Sequence, residues 1–491
     1  MNPLKKLAGQ TAVYGLSTIV GRLLNYLLVP LYTYNFSPAE YGVSTELYAY
    51  SSFLLIVLTY GMETALLNFS AAEGNKDKVY STSLISVVIS SFAFIILCYG
   101  FRHPIADLIK YPQFPEYIVW FSMMLGFDAI ACIVFVHLRE QNKAKRFAFV
   151  KIINILVNTG FNVFFIVICA KIHHHSDSIF YSFVEKIYDP EVGIGYAFIS
   201  NLIASGLTVL LLFPEITGIK YVFDRELWKR MMMYAFPLLI GGLAGMTNET
   251  MDRIMIKYLL PDDIASTQVG IYGACYKISI IMTMFIQTFR FAAEPFFFAQ
   301  AKEKNAKELY ADTMKYFMII CSVIFLATMA NITWIQHFVG EKYRIGIAVV
   351  PILLLANMCL GATANLSIWY KLTNKTRYGA YLTIFGAIIT VILNFYWIPR
   401  IGYMGSAWAT LICYATMMIT SYFAGNKHYP VDYDLKRILG YLALSLVLYF
   451  LGTFIPLNST KLEVAINNLF LVLFMGIVFF LERRNFRRVA S

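Results

Sequence analysis

The chain has 491 residues, 59% of them hydrophobic and only 14% charged, with a formal net charge of +11. An apolar fraction of that size, gathered into long runs, excludes a soluble domain, and barrel strands would instead be segments of about 10 residues alternating in polarity. In a soluble protein the basic excess would point to nucleic acid; here its distribution along the chain points to membrane topology.

Fourteen runs are long enough to cross a hydrocarbon core, which takes roughly 20 residues as helix. They lie near 8–34, 39–70, 80–101, 115–138, 147–170, 191–213, 231–260, 267–298, 313–338, 346–370, 378–398, 403–424, 435–455 and 463–481. An even number of crossings puts both termini on one side. With Lys5 and Lys6 placed in the cytoplasm, 26 of the 40 lysines and arginines fall on inner segments, eight on outer loops and six inside helices. That asymmetry follows the positive-inside rule. The expectation is a multi-pass protein of the bacterial inner membrane with both termini cytoplasmic. The first run is too long for a cleaved signal and lacks a small-residue cleavage site, so it reads as an anchor. All seven cysteines sit in apolar runs without CxxC spacing, so neither a metal site nor a disulfide framework is expected.

The first helix carries Gly15, Gly21, Arg22, Asn25 and Pro30. Arg22 falls near mid-membrane with no acidic residue three or four positions away. It either faces a polar path or pairs with Glu46 or Glu63 of the second helix. Glu63 in turn either carries a coupling cation or pairs with Arg22. Asp128, in the fourth helix, reads as a buried carboxyl that is protonated or hydrogen bonded. The fifth helix follows a basic loop (Arg139–Arg146) and bears Asn154, Asn158 and Asn162 on one face. That stripe serves interhelical hydrogen bonds or lines a sugar cavity. The run His173-His174-His175 does not share a helix face, and a solvated loop is the preferred reading over a metal site.

The sequence then repeats. Val192-Gly-Ile-Gly195-Tyr-Ala197 opens the sixth helix as Gly402-Tyr-Met-Gly405-Ser-Ala407 opens the twelfth, and Tyr41-Gly42-Val43 opens the second much as Val269-Gly270-Ile271 opens the eighth. A period of an even number of helices gives two halves of the same orientation, the architecture of a rocking transporter. The expected fold is an all-α integral membrane protein. About fourteen transmembrane helices form two six-helix lobes in a parallel pseudo-twofold repeat, plus two C-terminal helices. The lobes are expected at residues 1–215 and 216–425, with the additional helices and a basic tail at 426–491.

The second half opens with 231–298, two apolar helices joined at Pro261-Asp262-Asp263. The first bears Glu249, Asp252, Arg253 and Lys257; the second bears Lys277, Arg290 and Glu294. Charges at membrane depth are costly and mark a polar path or a paired network. Glu249 with Arg253, and Arg290 with Glu294, are spaced i,i+4 and can neutralise each other. Adjacent Asp252 and Arg253 are expected to project in different directions, and Lys257 to snorkel at the outer end. Pro237 and Pro295 permit kinks.

The run Asp252-Arg-Ile-Met-Ile-x-x-Leu259, then Val269-Gly-Ile-Tyr-x-x-x-Tyr276-Lys277-Ile278, then Phe291–Phe296, resembles the polysaccharide-unit flippases (Wzx-like). These belong to the multidrug/oligosaccharidyl-lipid/polysaccharide (MOP) exporter superfamily. The opening Gly15–Pro30 and Tyr41-Gly42-Val43 are similar too, and the resemblance covers nearly the whole chain. It implies a central cavity lined by helices 1, 2, 7 and 8, and a substrate consisting of an oligosaccharide on a polyprenyl pyrophosphate. Arg22, Asn25, Arg253 and Arg290 are the expected substrate-binding residues, since a planar guanidinium matches phosphate oxygens. Glu63, Asp252, Glu249 and Glu294 are the expected ion-coupling or gating residues. Bias by Na+, H+ or the membrane potential is expected, with no cofactor, metal or catalytic residue. The lipid bilayer, a polysaccharide polymerase and glycosyltransferases are the expected partners. A lipid II flippase and a cation-coupled drug antiporter share the fold and remain open. A membrane polymerase or ligase would need a large outer loop, and the longest here is about 20 residues (171–190). No phosphate-cradling Gly-rich loop speaks for ATP drive.

Overall fold

The computed structural model describes residues 23–24, 26–72, 75–175, 177–455 and 459–490, with side chains as far as Arg483. Among the described residues every regular element is a helix. Among the same residues twelve spans, not the fourteen expected, are long and apolar enough to cross a membrane. The end of the first expected crossing is α1 (Leu28–Asn35), and Arg22 and Asn25 lie outside the described residues. The sixth expected crossing is a shorter apolar helix of 17 residues, α7 (Gly195–Leu211).

Contacts divide the chain into two compact units, residues 1–257 and 258–491. The first holds α1, α2 (Pro38–Thr59), α3 (Met62–Ala72), α4 (Lys76–Gly100), α5 (Pro115–Glu140), α6 (Ala144–Val163), α7 and nearly all of α8 (Arg225–Leu259). The second holds α9 (Asp262–Gln300), α10 (Ala306–Ala330), α11 (Val349–Leu366), α12 (Arg377–Ile401), α13 (Tyr403–His428), α14 (Leu435–Phe454) and α15 (Thr460–Ala490). At 1.5 Å per residue α9 is about 58 Å long, nearly twice a hydrocarbon core of roughly 30 Å.

The same pairings recur in both units. In the first, α6 and α5 pack on α7, and α4 packs on α5; in the second, α12 and α11 pack on α13, and α10 packs on α11. The repeated glycines explain themselves here. A Cβ at Gly195 would meet the Tyr117 ring at 2.8 Å, and one at Gly405 would meet Trp397 at 2.8 Å. Ala197 and Ala407, two residues on, are wholly buried. Both motifs are small because a neighbouring helix approaches closely there. Outside the repeat, α14 and α15 pack on α10. They are pinned by the buried Glu482, which takes Lys315 at 3.2 Å, Arg437 at 2.9 Å and the Tyr441 hydroxyl at 2.8 Å.

Two breaks shape the first unit. The second expected crossing is not one continuous helix: α2 stops at Tyr60, and both Tyr60 (φ 36°) and Gly61 (φ 75°) are left-handed before α3 starts. Gly61 is required twice over, since its φ disfavours a Cβ and that atom would stand 2.9 Å from the Ala235 carbonyl of α8. The fifth crossing runs from α6 through a π-helical turn, Phe164–Cys169, into Ala170–His173.

At the end carrying the basic loops, the segment before α8 is strapped to the first unit. Lys78 meets Asp224 at 2.5 Å, Ser81 accepts from the Val222 amide at 2.8 Å, and Arg146 meets Glu215 at 2.9 Å. Asp224 also caps α8, accepting from the amides of Glu226 (2.9 Å) and Leu227 (3.0 Å). Those donors, led by Lys78, hold its carboxyl down at about 2.

Candidate functional site

In the first unit the intramembrane charges are gathered into hydrogen-bonded sets. Asp252 and Arg253 are both buried and bond each other: the Arg253 guanidinium donates to Asp252 Oδ1 at 2.9 Å, and the Arg253 amide donates to the same oxygen at 2.8 Å. This corrects the expectation that these neighbours project apart. The long arginine stem folds back around the helix, and a carboxylate one residue away is the partner it finds in a dry environment. The guanidinium also donates to the backbone carbonyl of Glu249 at 2.5 Å. The expected side-chain pair of Glu249 with Arg253 is therefore replaced by a bond to the helix backbone, and the Glu249 residue is exposed.

Glu46, in α2, is wholly buried and accepts from the hydroxyls of Tyr111 and, at 2.9 Å, Tyr50. Lys257 lies over the Tyr111 ring with its ammonium 4.6 Å from the centroid, and it is 4% exposed. It does not snorkel, because a cation held against an aromatic face near a buried carboxylate is better placed than one stretched along lipid. Glu63 accepts from the Cys132 thiol at 3.0 Å, and Asp128 accepts from Ser205 at 2.7 Å. Asp128 is thus the hydrogen-bonded carboxyl that its sequence context suggested. Lys151 sits over the Phe135 ring at 4.3 Å. The asparagine stripe is spent on hydrogen bonds: Asn154 donates to Thr208 (2.9 Å), Asn162 to the Asn158 side chain (3.0 Å), and Tyr32 to Asn162 (2.8 Å).

The second unit treats its charges differently. Arg290, Glu294 and Lys371 line one small cleft with Asn365, Phe289 and Phe297. Lys371 comes from the short helix Ile368–Leu372, which packs against α9 and delivers its ammonium to Glu294. The expected Arg290–Glu294 pair is not formed, because Lys371 takes the carboxylate. Arg290 is exposed and makes no ion pair among the described residues. The cleft therefore holds two cations and one carboxylate, with a planar five-donor fork unspent. Its net charge is positive.

Sequence reasoning misses Lys371 and Glu46 as members of these sets. Lys371 falls with an inner loop in the sequence, and only the packing of its short helix on α9 brings it to Glu294. Glu46 stands out only as a candidate partner for Arg22, and the tyrosines that hold it come from other parts of the chain.

A family model described as "Polysaccharide biosynthesis protein" matches residues 7–300. No curated protein matches the chain. Among solved structures it is similar to the lipid II flippase MurJ in an inward closed conformation, at 16% identity and a TM-score of 0.73, over 95% of this chain and 98% of that one. It is similar also to an inward-facing multidrug resistance MATE family transporter of the MOP superfamily, at 14% identity and a TM-score of 0.63, over 85% and 94%. A third likeness is to the MATE multidrug transporter DinF-BH, at 15% identity and a TM-score of 0.62, over 88% and 97%. Similarity at these identities concerns the fold, and the proteins that share it are flippases and transporters. With its helical repeat and a fold that flippases and transporters share, the chain belongs to the polysaccharide biosynthesis protein family.

Proposed function

We propose that this protein is a flippase that carries polyprenyl-pyrophosphate-linked oligosaccharide units from the cytoplasmic to the periplasmic leaflet, for O-antigen, capsule or exopolysaccharide assembly. The observation that carries this reading is the cleft of the second unit, where Arg290 stands beside Lys371 without a carboxylate of its own. A pyrophosphate presents several charged oxygens, and a guanidinium binds them in a planar fork that an ammonium cannot form. A cationic drug would meet net repulsion there, which weighs against the multidrug reading. Lipid II also carries pyrophosphate, so the cleft does not separate a lipid II flippase from a polysaccharide-unit flippase; the family match favours the latter.

The transport step is alternating access by rocking of two lobes. Occupancy of a carboxylate such as Glu63 or Asp252 by Na+ or H+, or the membrane potential, biases it. Glu63 suits that role better, since its one described hydrogen bond is from a weak thiol donor, whereas Asp252 is engaged by Arg253. Unchanged transport after both Glu63→Gln and Asp252→Asn would sink the coupling part. A polymerase and glycosyltransferases are the partners this reading assigns, in the bacterial inner membrane with both termini in the cytoplasm.

The test is exposure of lipid-linked oligosaccharide on the outer face of a strain lacking its own flippase. Restoration by wild type and loss with Arg290→Ala at matched expression are expected. Restoration by both would keep the flippase and remove the anion role of Arg290. Failure of wild type with every glycan supplied, together with cation-coupled efflux of a drug, would replace the reading by antiport.

A further inference from the structure

The first unit contains a cavity that none of the transport argument uses. Its volume is about 380 Å³, within the range of roughly 300–1,000 Å³ usual for small-molecule sites. It opens where α1 ends, α2 begins and the π-helical turn hands over to Ala170–His173. The loss of lysine and arginine on the loops at this end assigns it to the outer face.

Its walls are built features. Ile166 and Val167 of the π-helical turn line it, and such turns inside α-helices recur at functional sites. Gly193 lines it in a left-handed conformation (φ 50°), so the backbone there is held in a shape that side chains disfavour. Tyr188, Tyr196 and Phe165 form a column. Phe165 and Tyr196 stack at 4.6 Å and 17°, Tyr196 and Tyr188 at 5.1 Å and 13°, and the Tyr196 hydroxyl accepts from the Asp189 amide at 2.7 Å. Tyr188 and Tyr196 form a stiff aromatic side of the cavity.

The polar groups facing them have capacity to spare. Glu40 Oε2 is occupied by the amide (2.8 Å) and hydroxyl (2.6 Å) of Ser37, while Oε1 accepts no hydrogen bond among the described residues. The Lys171 ammonium makes no ion pair among the described residues, and His174 and the Asn35 amide, which already donates to the Leu31 carbonyl at 2.7 Å, stand on the same cavity. One carboxylate set against one ammonium leaves no strong net charge to select an ion. It offers separated acceptors and donors beside aromatic rings. Hydroxyl groups satisfy both kinds at once because each donates and accepts. Both faces of Tyr196 are covered by Phe165 and Tyr188, so this wall meets a ligand through ring edges and hydroxyls.

We infer that this cavity is a saccharide-binding cleft that takes a sugar residue of the translocated glycan on the outer face. It is separate from the anion cleft of the second unit. Its biological role rests on the flippase reading, while its ligand chemistry rests on the cavity alone.

The experiment uses the full-length protein in lipid nanodiscs. The probes are the oligosaccharide released by mild acid from the lipid-linked pool of the native cells, labelled at its reducing end, and phosphoethanolamine as a headgroup mimic. Glu40→Gln keeps the capping box of α2, since glutamine serves at that position as well as glutamate, and Lys171→Ala alters an exposed side chain. Thermal melting verifies that both variants fold. Wild type is expected to bind the oligosaccharide, with affinity at least tenfold weaker in each variant. Equal binding by wild type and both variants overturns the inference, as does no binding by wild type. Binding of phosphoethanolamine in preference to the sugar overturns it in favour of a lipid headgroup site. Leaflet exposure in cells, measured independently with wild type, decides the flippase reading, so the two fail separately.

Discussion

Both units bury paired charge, Asp252 with Arg253 in the first and Glu482 with Lys315 in the second, but the second also keeps an exposed cation beside a pair. In the first, Glu46, Glu63, Asp128 and Asp252 each accept a hydrogen bond from a named neighbour, and Arg253 and Lys257 are buried against partners. In the second, Glu294 is matched by Lys371 and Arg290 is left exposed beside them. A buried ion that loses its partner costs several kcal/mol. Charges already paired are therefore poor places to look for ligand contacts, and an exposed cation kept without a carboxylate is a better one. The difference also shows that i,i+4 spacing on a helix is a weak guide to pairing. Neither expected pair forms, because the backbone and a neighbouring helix offer better-placed partners.

The largest expected effect tests whether pairing in this molecule is structural. Glu482 holds two cations and a hydroxyl while wholly buried. Glu482→Ala leaves the buried Lys315 with Asp312 alone (3.0 Å) and the Tyr441 hydroxyl without its acceptor, and a loss of about 3 kcal/mol is expected, read as a large drop in the thermal unfolding midpoint. A near-neutral result would break the view that paired charges hold the helices. Next, Arg290→Ala removes the spare cation. Transport is expected to fall by roughly 10- to 100-fold, the value of losing a charge-assisted hydrogen bond or two, with the unfolding midpoint unchanged. Equal losses of stability and transport would make Arg290 as structural as the first unit's charges.

A smaller effect is expected at the break between α2 and α3. Gly61→Val forces a β-branched residue into φ 75° against the Ala235 carbonyl, at about 1–3 kcal/mol of strain; the unfolding midpoint reports it. The smallest concerns Asp224. Its folded carboxyl titrates at about 2, below the ordinary value near 3.9. Its contribution to the cap of α8 is therefore complete above about pH 4 and lost as pH falls through about 2. Protection of the Glu226 and Leu227 amides, taken relative to the intrinsic exchange rate at each pH, is expected to hold at pH 5 and fall near pH 2, whereas Asp224→Ala lowers it already at pH 5.

Much of the fold was legible because the bilayer imposes simple rules. Length and hydropathy located the crossings, and the spacing of Gly195 and Gly405 marked the repeat, since close helix approach leaves no room for a larger residue at either position. The break at Tyr60–Gly61 and the π-helical turn at Phe164–Cys169 were not legible, because both lie inside continuous apolar runs where periodicity carries no signal. The candidate site was half legible. Arg290, Glu294, Asp252 and Arg253 stand out as charges in apolar helices. Lys371 and Glu46 do not stand out as members of charged sets, since what makes them so is which helix lies alongside.

The sequence by itself determined the class of the molecule, most of its helical crossings, and the existence of charges within apolar helices. Each of these follows from transfer between water and hydrocarbon, which is a property of residues in order. Only the tertiary structure decided which charges are neutralised and which cation is kept free. Those choices depend on distances of about 3 Å between side chains from separate helices. In an apolar surrounding, the nearest available partner wins, whatever the spacing along the chain.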